Sequence, residues 1–349
     1  MSSQEPQKPS IKGPGAPRRQ AVSLSQQDLV SYSQLQPNQA LPLVVTPAVA
    51  GVDLLSWAGT NRETIETQLL KHGGILFRGF NIKAVPEFEQ LIKTIAGDLL
   101  EYSYRSTPRS QVSGRIYTST EYPADQAIPM HNEMAYTTSW PMKIAFFSVI
   151  VAEQGGETPI ADSRNVFQRI DPAVRQRFAD AGVMYVRNYG KGIDLPWQDV
   201  FQTDDPAEVE AYCRSANIQF EWKDGDRLRT SQVCQAVATH PQTGAPVWFN
   251  QAHLFHVSAL PAEVQAALLA DFAEGDLPRN TYYGDGSPIE PEALAEIRRA
   301  YDAETIAFPW QAGDILLLDN MLVAHGRFPF AGARKTVVGM AQAMSGSGQ

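Results

Sequence analysis

Three side chains, His131, Glu133 and His325, have the types and spacing expected of the protein ligands of a non-haem ferrous iron centre. Two histidines and one carboxylate make up such a ligand set. If His131 and Glu133 lie on one strand, they project on the same face, because alternate side chains of a strand share a face. His325, 192 residues after Glu133, would complete one face of an octahedron from a distant strand. The three remaining positions would then hold a cosubstrate and O2.

The His131-x-Glu133 triplet is ambiguous by itself, because a solvated strand end after Pro129 has the same pattern. A second motif follows it at Gly155-Gly156-Glu-Thr158. A glycine pair lets the backbone approach another group closely, and the threonine adds a hydroxyl donor. The same residues also suit a hairpin turn, so this motif gains weight only in combination with others.

A third motif lies near the C-terminus, where the apolar run Asp314–Leu318 predicts a buried strand. His325 follows this strand, and Arg334 lies nine residues after His325. A guanidinium can bind a carboxylate in a two-point fork that a lysine cannot reproduce. The segment therefore offers a third metal ligand together with a cationic anchor for an acid.

The elements that would position these residues are mostly short strands, interrupted by helical segments and without a βαβ rhythm. This pattern favours an antiparallel barrel or jelly roll. The fold class that we predict is mainly β with helical insertions, a double-stranded β-helix. The sequence most clearly predicts helices near 61–71 and 85–99, and strands near 75–80, 143–151, 314–318 and 336–340.

Composition sets the wider limits. Residues 1–38 are rich in Gln, Ser and Pro and predict a disordered tail, residues 39–344 one catalytic domain, and residues 345–349 a flexible tail. A net charge of -9 argues against nucleic-acid binding. Two cysteines, no apolar signal segment and no run long enough for a membrane span predict a cytoplasmic protein. The oligomeric state is left open, with a homo-oligomer among the alternatives.

Taken in order, these motifs resemble the taurine dioxygenase (TauD/TfdA) family of Fe(II)/2-oxoglutarate-dependent oxygenases, in the clavaminate-synthase-like superfamily. The resemblance covers roughly residues 40–343 and includes His72-Gly-Gly-Ile-Leu-Phe-Arg-Gly-Phe80. It implies that His131, Glu133 and His325 bind Fe(II). It also implies that Arg334, helped by Thr158, binds the distal carboxylate of 2-oxoglutarate, and that O2 is the oxidant.

Two departures from the taurine enzymes bear on the substrate. Those relatives carry an aspartate in the ligand set and a second arginine four residues after the cosubstrate arginine. Here the acid is Glu133 and the later position is Val338, which argues against taurine or another sulfonate. Halogenases of this type replace the carboxylate ligand with a small residue, so the presence of Glu133 favours hydroxylation over halogenation.

The amino-acid sequences of these motifs are similar to those of amino-acid hydroxylases from nonribosomal peptide and related natural-product pathways. The resemblance implies hydroxylation of an unactivated C–H bond of an amino acid or a derivative, either free or tethered to a carrier protein, with release of succinate and CO2. Desaturation, cyclisation or oxidative decarboxylation would use the same iron chemistry. A non-catalytic jelly-roll protein that binds a small acid is the alternative from another class.

The remaining polar residues near the motifs are weaker candidates. Five residues before the iron pair could either shape substrate access or lie in a solvated loop: Arg105, Arg109, Arg115, Tyr117 and Thr120. Asn250 could face the active site. For His253 and His256 we expect pocket lining or core packing rather than a second metal site. Asn132 is expected to be structural, Arg78 to pair with a carboxylate, and His240 to lie on the surface.

Overall fold

The computed structural model describes residues 26–101, 109–119, 122–190, 195–224 and 226–346. Within these residues the strands, in chain order, are β1 (Val30–Gln34), β2 (Leu43–Pro47), β3 (Gly74–Phe77), β4 (Gln111–Ser113), β5 (Ile116–Thr118), β6 (Ile128–His131), β7 (Ser139–Ile150), β8 (Gln154–Gly155), β9 (Ile160–Asp162), β10 (Val183–Tyr189), β11 (Gln219–Lys223), β12 (Arg227–Cys234), β13 (Val237–Thr239), β14 (Pro246–Trp248), β15 (Arg279–Tyr283), β16 (Ile315–Asp319), β17 (Val323–Arg327), β18 (Phe330–Ala331) and β19 (Lys335–Ser345).

The helices of the same ranges are α1 (Leu54–Thr60), α2 (Arg62–His72), α3 (Val85–Ala96), α4 (Ser163–Arg169), α5 (Pro172–Ala181), α6 (Trp197–Phe201), α7 (Pro206–Ser215), α8 (Ala252–Phe255), α9 (Ala262–Asp271) and α10 (Pro291–Glu304), with short 3-10 turns at Gln26–Leu29, Val257–Ala259 and Glu274–Asp276. Among these described helices none is both long and apolar enough to cross a bilayer.

The strands form a double-stranded β-helix. Its larger sheet has eight strands in the order β1-β2-β3-β16-β7-β19-β5-β4, and a smaller sheet has the order β6-β17-β9. Strands β8 and β18 form a separate two-stranded sheet. In the sequence, β8 comes shortly before β9 and β18 shortly after β17, so short connections join this pair to the smaller sheet. A separate four-stranded sheet, β11-β12-β10-β15, belongs to the insertion between β9 and β16.

The larger sheet is buried on both faces, which explains why its central strands are almost continuously apolar. On β16, Leu316 and Leu318 pack inside the roll, whereas Ile315 and Leu317 pack against the helical layer. On the neighbouring strand β7, Phe146 packs inside the roll and Phe147 packs against the helical layer. Alternation along each strand therefore fills two cores at once.

The structure corrects the predicted limits of the N-terminal tail. Residues 30–34 form β1, which pairs antiparallel with β2 from Val30↔Pro47 to Gln34↔Leu43. The polar composition hid this strand, because four of its five residues are exposed and the fifth, Val30, is buried. At the other end β19 continues to Ser345, one residue beyond the predicted end of the domain.

Two predicted structural pairings are present, and one surface assignment was wrong. Arg78 donates hydrogen bonds to Asp314, 2.6 Å at the shortest, at the base of β16. Asn132 is buried and donates to the carbonyl oxygen of Asn320 at 2.7 Å. His240, predicted to be on the surface, is fully buried and pairs with the carboxylate of Asp319 at 3.1 Å. Its partner lies 79 residues away, so the local sequence gave no indication of the contact.

Candidate metal and cosubstrate site

The two histidines of the predicted ligand set face each other across a strand pair. His131 is the last residue of β6, and His325 is its antiparallel partner in the register of β17. The ring centroids lie 4.5 Å apart. Cross-strand neighbours share a face of the sheet, so the register itself brings together two residues that are far apart in the sequence.

Glu133 reaches the same place by a different route from the one predicted. β6 ends at His131, and Glu133 lies in the following turn, where Ala135 N–H donates to the Asn132 carbonyl at 3.2 Å and Met134 has φ +58°. The strand alternation expected for the His-x-Glu triplet therefore stops two residues before Glu133. The turn still directs the carboxylate to the histidines: Oε2 lies 3.8 Å from His325 Nε2.

Asn320 fixes this turn to the strand that delivers His325. Its side-chain oxygen accepts from the backbone N–H of Glu133 at 2.7 Å, and its amide nitrogen donates to the carbonyls of Glu133 and Pro141 at 2.9 and 2.8 Å. The residue lies between β16 and β17 and is fully buried. One side chain therefore joins the two segments that carry the ligand set.

The donor set fits a divalent cation. One ligand atom each from His131, Glu133 and His325 lies within 4.8 Å of the others, and the described residues contain no further group of three metal-ligating side chains of this kind. His131 Nδ1 donates to the Pro129 carbonyl at 2.8 Å, because a carbonyl can only accept. Its Nε2 is thereby left as the unprotonated ligand atom.

The electrostatics of the histidines agree with this assignment. Burial lowers the pKa of His131, partly offset by the nearby Glu133. Burial also lowers the pKa of His325 well below its ordinary value, with further lowering by His131 and Arg109. Both imidazoles are therefore neutral near pH 7, the form that coordinates a metal.

Arg334 and Thr158 lie on the wall of the same cavity as the histidines. Arg334 Nε donates to the Gly156 carbonyl at 2.9 Å, and its Nη1 donates to Ser119 Oγ at 3.3 Å. Burial lowers the pKa of Arg334 to about 10, which leaves the guanidinium charged at neutral pH. The pair supplies a cation and a hydroxyl, the groups that recognise a carboxylate.

The glycine pair before Thr158 is required by close packing. Gly155 and Gly156 have φ of +66° and +77°, where side chains are disfavoured. A Cβ on Gly155 would lie 2.2 Å from the Pro329 carbonyl oxygen, and one on Gly156 would lie 2.9 Å from the Arg334 side chain. The glycines thus allow the loop to approach β18 and the arginine.

Among the described residues, none of the weaker candidates Arg115, Tyr117 and Asn250 lines the cavity. Arg115 donates to the Leu99 carbonyl at 2.6 Å and pairs with exposed Glu101, and it does not line the described cavity. Tyr117 is buried on β5 opposite Val338. The Asn250 side chain is engaged by the backbone of Ala236 and Ala252 at 2.7 and 3.0 Å. Arg105 and Thr120 lie outside the described residues.

Two further residues contact members of the predicted site. Arg109, on the cavity wall, donates from Nη2 to Glu133 Oε2 at 2.7 Å. Trp310 donates from its indole nitrogen to Thr158 Oγ at 3.2 Å. Arg109 was predicted only as a residue that could shape substrate access, and its contact with Glu133 was not anticipated. Trp310 belongs to no motif and its partner is distant in sequence, so no local signal could have identified it.

Fold and site together define a jelly-roll oxygenase of the two-histidine, one-carboxylate type. The sequence matches the family described as "Taurine catabolism dioxygenase TauD, TfdA family" over residues 32–341. The chain therefore belongs to this family, and it is an Fe(II)/2-oxoglutarate-dependent dioxygenase.

Individual relatives agree with this assignment. The chain is 44% identical over 276 residues to the dapdiamide synthesis protein DdaC of Enterobacter agglomerans, covering 79% of this chain and 84% of DdaC. It is 29% identical over 321 residues to a clavaminate synthase-like protein of Arabidopsis thaliana, covering 87% and 94% of the two chains. The structure of PvcB from Pseudomonas aeruginosa superimposes with a TM-score of 0.53 at 17% identity, covering 92% of this chain and 94% of PvcB. That last likeness shows the shared fold.

Proposed function

We propose that His131, Glu133 and His325 bind Fe(II), and that Arg334 with Thr158 binds the distal carboxylate of 2-oxoglutarate. The observation that carries this assignment has two parts: His131, His325, Thr158 and Arg334 line one cavity, and a Glu133 oxygen lies within 4.8 Å of the ligand atoms of both histidines. When bound, Fe(II) and 2-oxoglutarate supply the activation of O2 and the oxidation of a C–H bond, with release of succinate and CO2.

The chain's own residues then bind, orient and exclude water. The Arg334 guanidinium holds the far end of the cosubstrate at a fixed distance from the ligand set. Trp310 donates to the Thr158 oxygen, so the Thr158 O–H is available to donate to that carboxylate. On the opposite side the Phe146 ring lies 4.9 Å from the His325 ring and provides an apolar wall that keeps water from the reacting atoms.

We further propose that the substrate is an amino acid or an amino-acid derivative of natural-product biosynthesis, and that the outcome is hydroxylation. The similarity to DdaC, named as a dapdiamide synthesis protein, supports the biosynthetic role. Val338 stands where taurine enzymes have their second arginine, which argues against a sulfonate. A free and a carrier-tethered substrate are both compatible with this proposal.

The ligand assignment is tested by anaerobic titration with Fe(II) and 2-oxoglutarate. The wild-type protein should develop the weak visible charge-transfer band of an iron–2-oxoglutarate complex. His131→Ala should lose this band and the iron. His256→Ala is the matched control, because His256 bonds Ser258 Oγ and does not line the cavity. Normal iron binding by His131→Ala would refute the assignment.

The substrate is tested by supplying Fe(II), ascorbate and 2-oxoglutarate with free L-amino acids, and separately with the same amino acids thioesterified to a carrier protein. Succinate formed in excess of the substrate-free rate identifies the substrate. A product 16 mass units heavier indicates hydroxylation, and one 2 units lighter indicates desaturation or ring closure. If only non-amino-acid substrates accelerate succinate formation, the substrate proposal fails while the iron assignment stands.

A further inference from the structure

The cavity contains a buried ion pair that the cosubstrate chemistry does not require. Arg109 Nη2 lies 2.7 Å from Glu133 Oε2, and each of the two side chains is 3% exposed. Oε2 is also the carboxylate oxygen 3.8 Å from His325 Nε2. The guanidinium therefore binds the oxygen that faces the other members of the ligand set.

Arg109 differs in this respect from the other two arginines of the cavity wall. Arg327 donates to the backbone carbonyls of Tyr122, Pro123 and Gln126 at 3.0, 2.6 and 2.8 Å. Arg334 donates to the Gly156 carbonyl and to Ser119. Of the three, Arg109 alone has a described hydrogen bond to a member of the ligand set.

The arrangement places a cation where a metal ion would act. Among the described residues that line the cavity, Arg109 is present and Glu133 is absent, as expected if the guanidinium covers the carboxylate. The Arg109 guanidinium and the Glu133 carboxylate together carry no net charge, and Arg327 and Arg334 add positive charge to the cavity wall. A divalent cation that enters the cavity is repelled by the Arg109 guanidinium. This repulsion is strong because the guanidinium is buried, where water screens charge poorly.

We propose that Arg109 is a positioning residue that pairs with Glu133 and competes with the metal ion for that carboxylate. This inference rests on the proposed ligand set. Two consequences follow. Arg109 holds the ligand carboxylate in place, and it weakens metal binding until a further anion enters the cavity.

That further anion is the cosubstrate. 2-Oxoglutarate carries two negative charges, so its arrival offsets the cationic charge of Arg109 and the metal together. Arg109 should therefore increase the coupling between metal and cosubstrate binding beyond the coupling that chelation alone provides. Since coupling is reciprocal, each ligand should raise the affinity for the other by the same factor.

The test measures Mn(II) affinity by the electron paramagnetic resonance signal of the free ion, with and without 2-oxoglutarate. No turnover is involved. Arg109→Met should bind Mn(II) alone more tightly than the wild type, on the order of tenfold or more, and the enhancement by 2-oxoglutarate should shrink by a similar factor. Arg109→Lys keeps the charge and should stay close to the wild type in both quantities.

Arg334→Met is the matched control for the loss of a cavity cation. It should abolish most of the enhancement by 2-oxoglutarate and change the affinity for Mn(II) alone less than Arg109→Met does. If Arg109→Met does not fold, Arg109→Gln, which retains two N–H donors without the charge, carries the same expectation.

Two results would overturn the proposal in distinguishable ways. If Arg109→Met binds Mn(II) no more tightly than the wild type, Arg109 is not a competing counter-ion, and the ligand set stands. If the folded wild-type protein binds no Mn(II) with or without 2-oxoglutarate, the ligand set itself is wrong and the role of Arg109 falls with it.

Discussion

The Thr158 hydroxyl shows how a neighbour can decide what a side chain does. A hydroxyl both donates and accepts, whereas an indole N–H only donates. Because Trp310 donates to Thr158 Oγ at 3.2 Å, and both residues are buried, the Thr158 proton must point elsewhere. If the Thr158 O–H points into the cavity, it can donate a hydrogen bond to a carboxylate bound there.

Trp310→Phe should therefore weaken binding of 2-oxoglutarate without affecting the metal. The variant keeps an aromatic ring and removes the donor that orients Thr158. We expect the dissociation constant of 2-oxoglutarate for the Mn(II)-loaded enzyme to rise by roughly five- to tenfold, the effect of losing one hydrogen bond of about 1 kcal/mol. Isothermal titration calorimetry measures this constant directly.

A double-mutant cycle separates orientation from general disturbance of the site. Thr158→Val should have a similar effect, and the double variant should be little worse than either single one. Trp140→Phe is the control, since the Trp140 indole nitrogen is buried with no hydrogen-bond partner among the described residues. Additive effects of Trp310→Phe and Thr158→Val would contradict the orienting role.

For individual residues, the sequence predicted the side chains that can bind a metal or a carboxylate but did not predict their hydrogen-bond partners. His131, Glu133 and His325 could be predicted because few other combinations suit a non-haem iron site. Trp310 could not, because the hydrogen bond to Thr158 spans 152 positions and a tryptophan before a buried strand is ordinarily a packing residue. Contacts of this kind depend on the folded arrangement of loops.

At the scale of elements, Asn320 connects the turn after β6 with the turn between β16 and β17. Asn320→Ala would leave one backbone N–H and two carbonyls buried without their partner, and each buried unsatisfied group costs about 1–3 kcal/mol. We expect the variant to lose about 2–4 kcal/mol of unfolding free energy in urea. Mn(II) binding should weaken as well, because the Glu133 turn is no longer held.

Asn165→Ala is a suitable control for Asn320→Ala. Asn165 lies on α4 and donates to Glu304 in an exposed hydrogen bond, so the loss should be below about 0.5 kcal/mol. Equal stability losses in the two variants would show that the buried network of Asn320 contributes little.

Helix α8 is tied to β6 through His253, whose Nε2 lies 3.0 Å from the Met130 carbonyl. Burial lowers the pKa of His253 to about 3. An unfolded histidine takes up its proton near pH 6.5, whereas the folded one does not until about pH 3, so acid favours unfolding between these values.

His253→Gln retains a donor for Met130 and removes this titration. The unfolding free energy of the wild type should fall as the pH decreases from 6.5 towards 3. The unfolding free energy of the variant should fall less steeply, with a slope smaller by up to about 1.4 kcal/mol per pH unit. Urea unfolding at several pH values measures the slope, and the comparison at pH 7.5 accounts for any loss that is independent of protonation. Parallel slopes would contradict the assignment of a neutral buried imidazole.

The elements themselves were partly predictable, for identifiable reasons. The run Asp314–Leu318 indicated β16 because both faces of this strand are buried and polar residues are excluded from both. The His-x-Glu triplet suggested a continuous strand, but Met134 adopts a left-handed conformation and the chain turns after His131. Strand β1 was missed because it is an edge strand with one buried residue, so its composition resembles that of a tail.

At the scale of the whole molecule, the ligand set joins β6 and β17, two strands that pair in the smaller sheet but lie far apart in the sequence. A ligand that binds the folded state alone stabilises it by mass action, about 2.7 kcal/mol at a concentration 100 times its dissociation constant. Saturating Mn(II) with 2-oxoglutarate should therefore raise the melting temperature by about 3–6 °C, and EDTA should reverse the change.

His131→Ala should show little of this stabilisation at the same ligand concentrations, since the metal would lack one ligand. Differential scanning fluorimetry is sufficient for the comparison. A shift of equal size in the variant would indicate that Mn(II) acts elsewhere on the protein.

The pairing of His131 with His325 also constrains when iron can be acquired during synthesis. The two residues are adjacent only after β17 has joined β6, and β17 is made long after β6. A ribosome-bound chain that has folded only as far as β6 and the following turn would present one histidine and one carboxylate, too few ligands for firm capture. Iron insertion is then a step that follows the synthesis and docking of β17, and the abundance of active enzyme depends on the metal supply available from that point on.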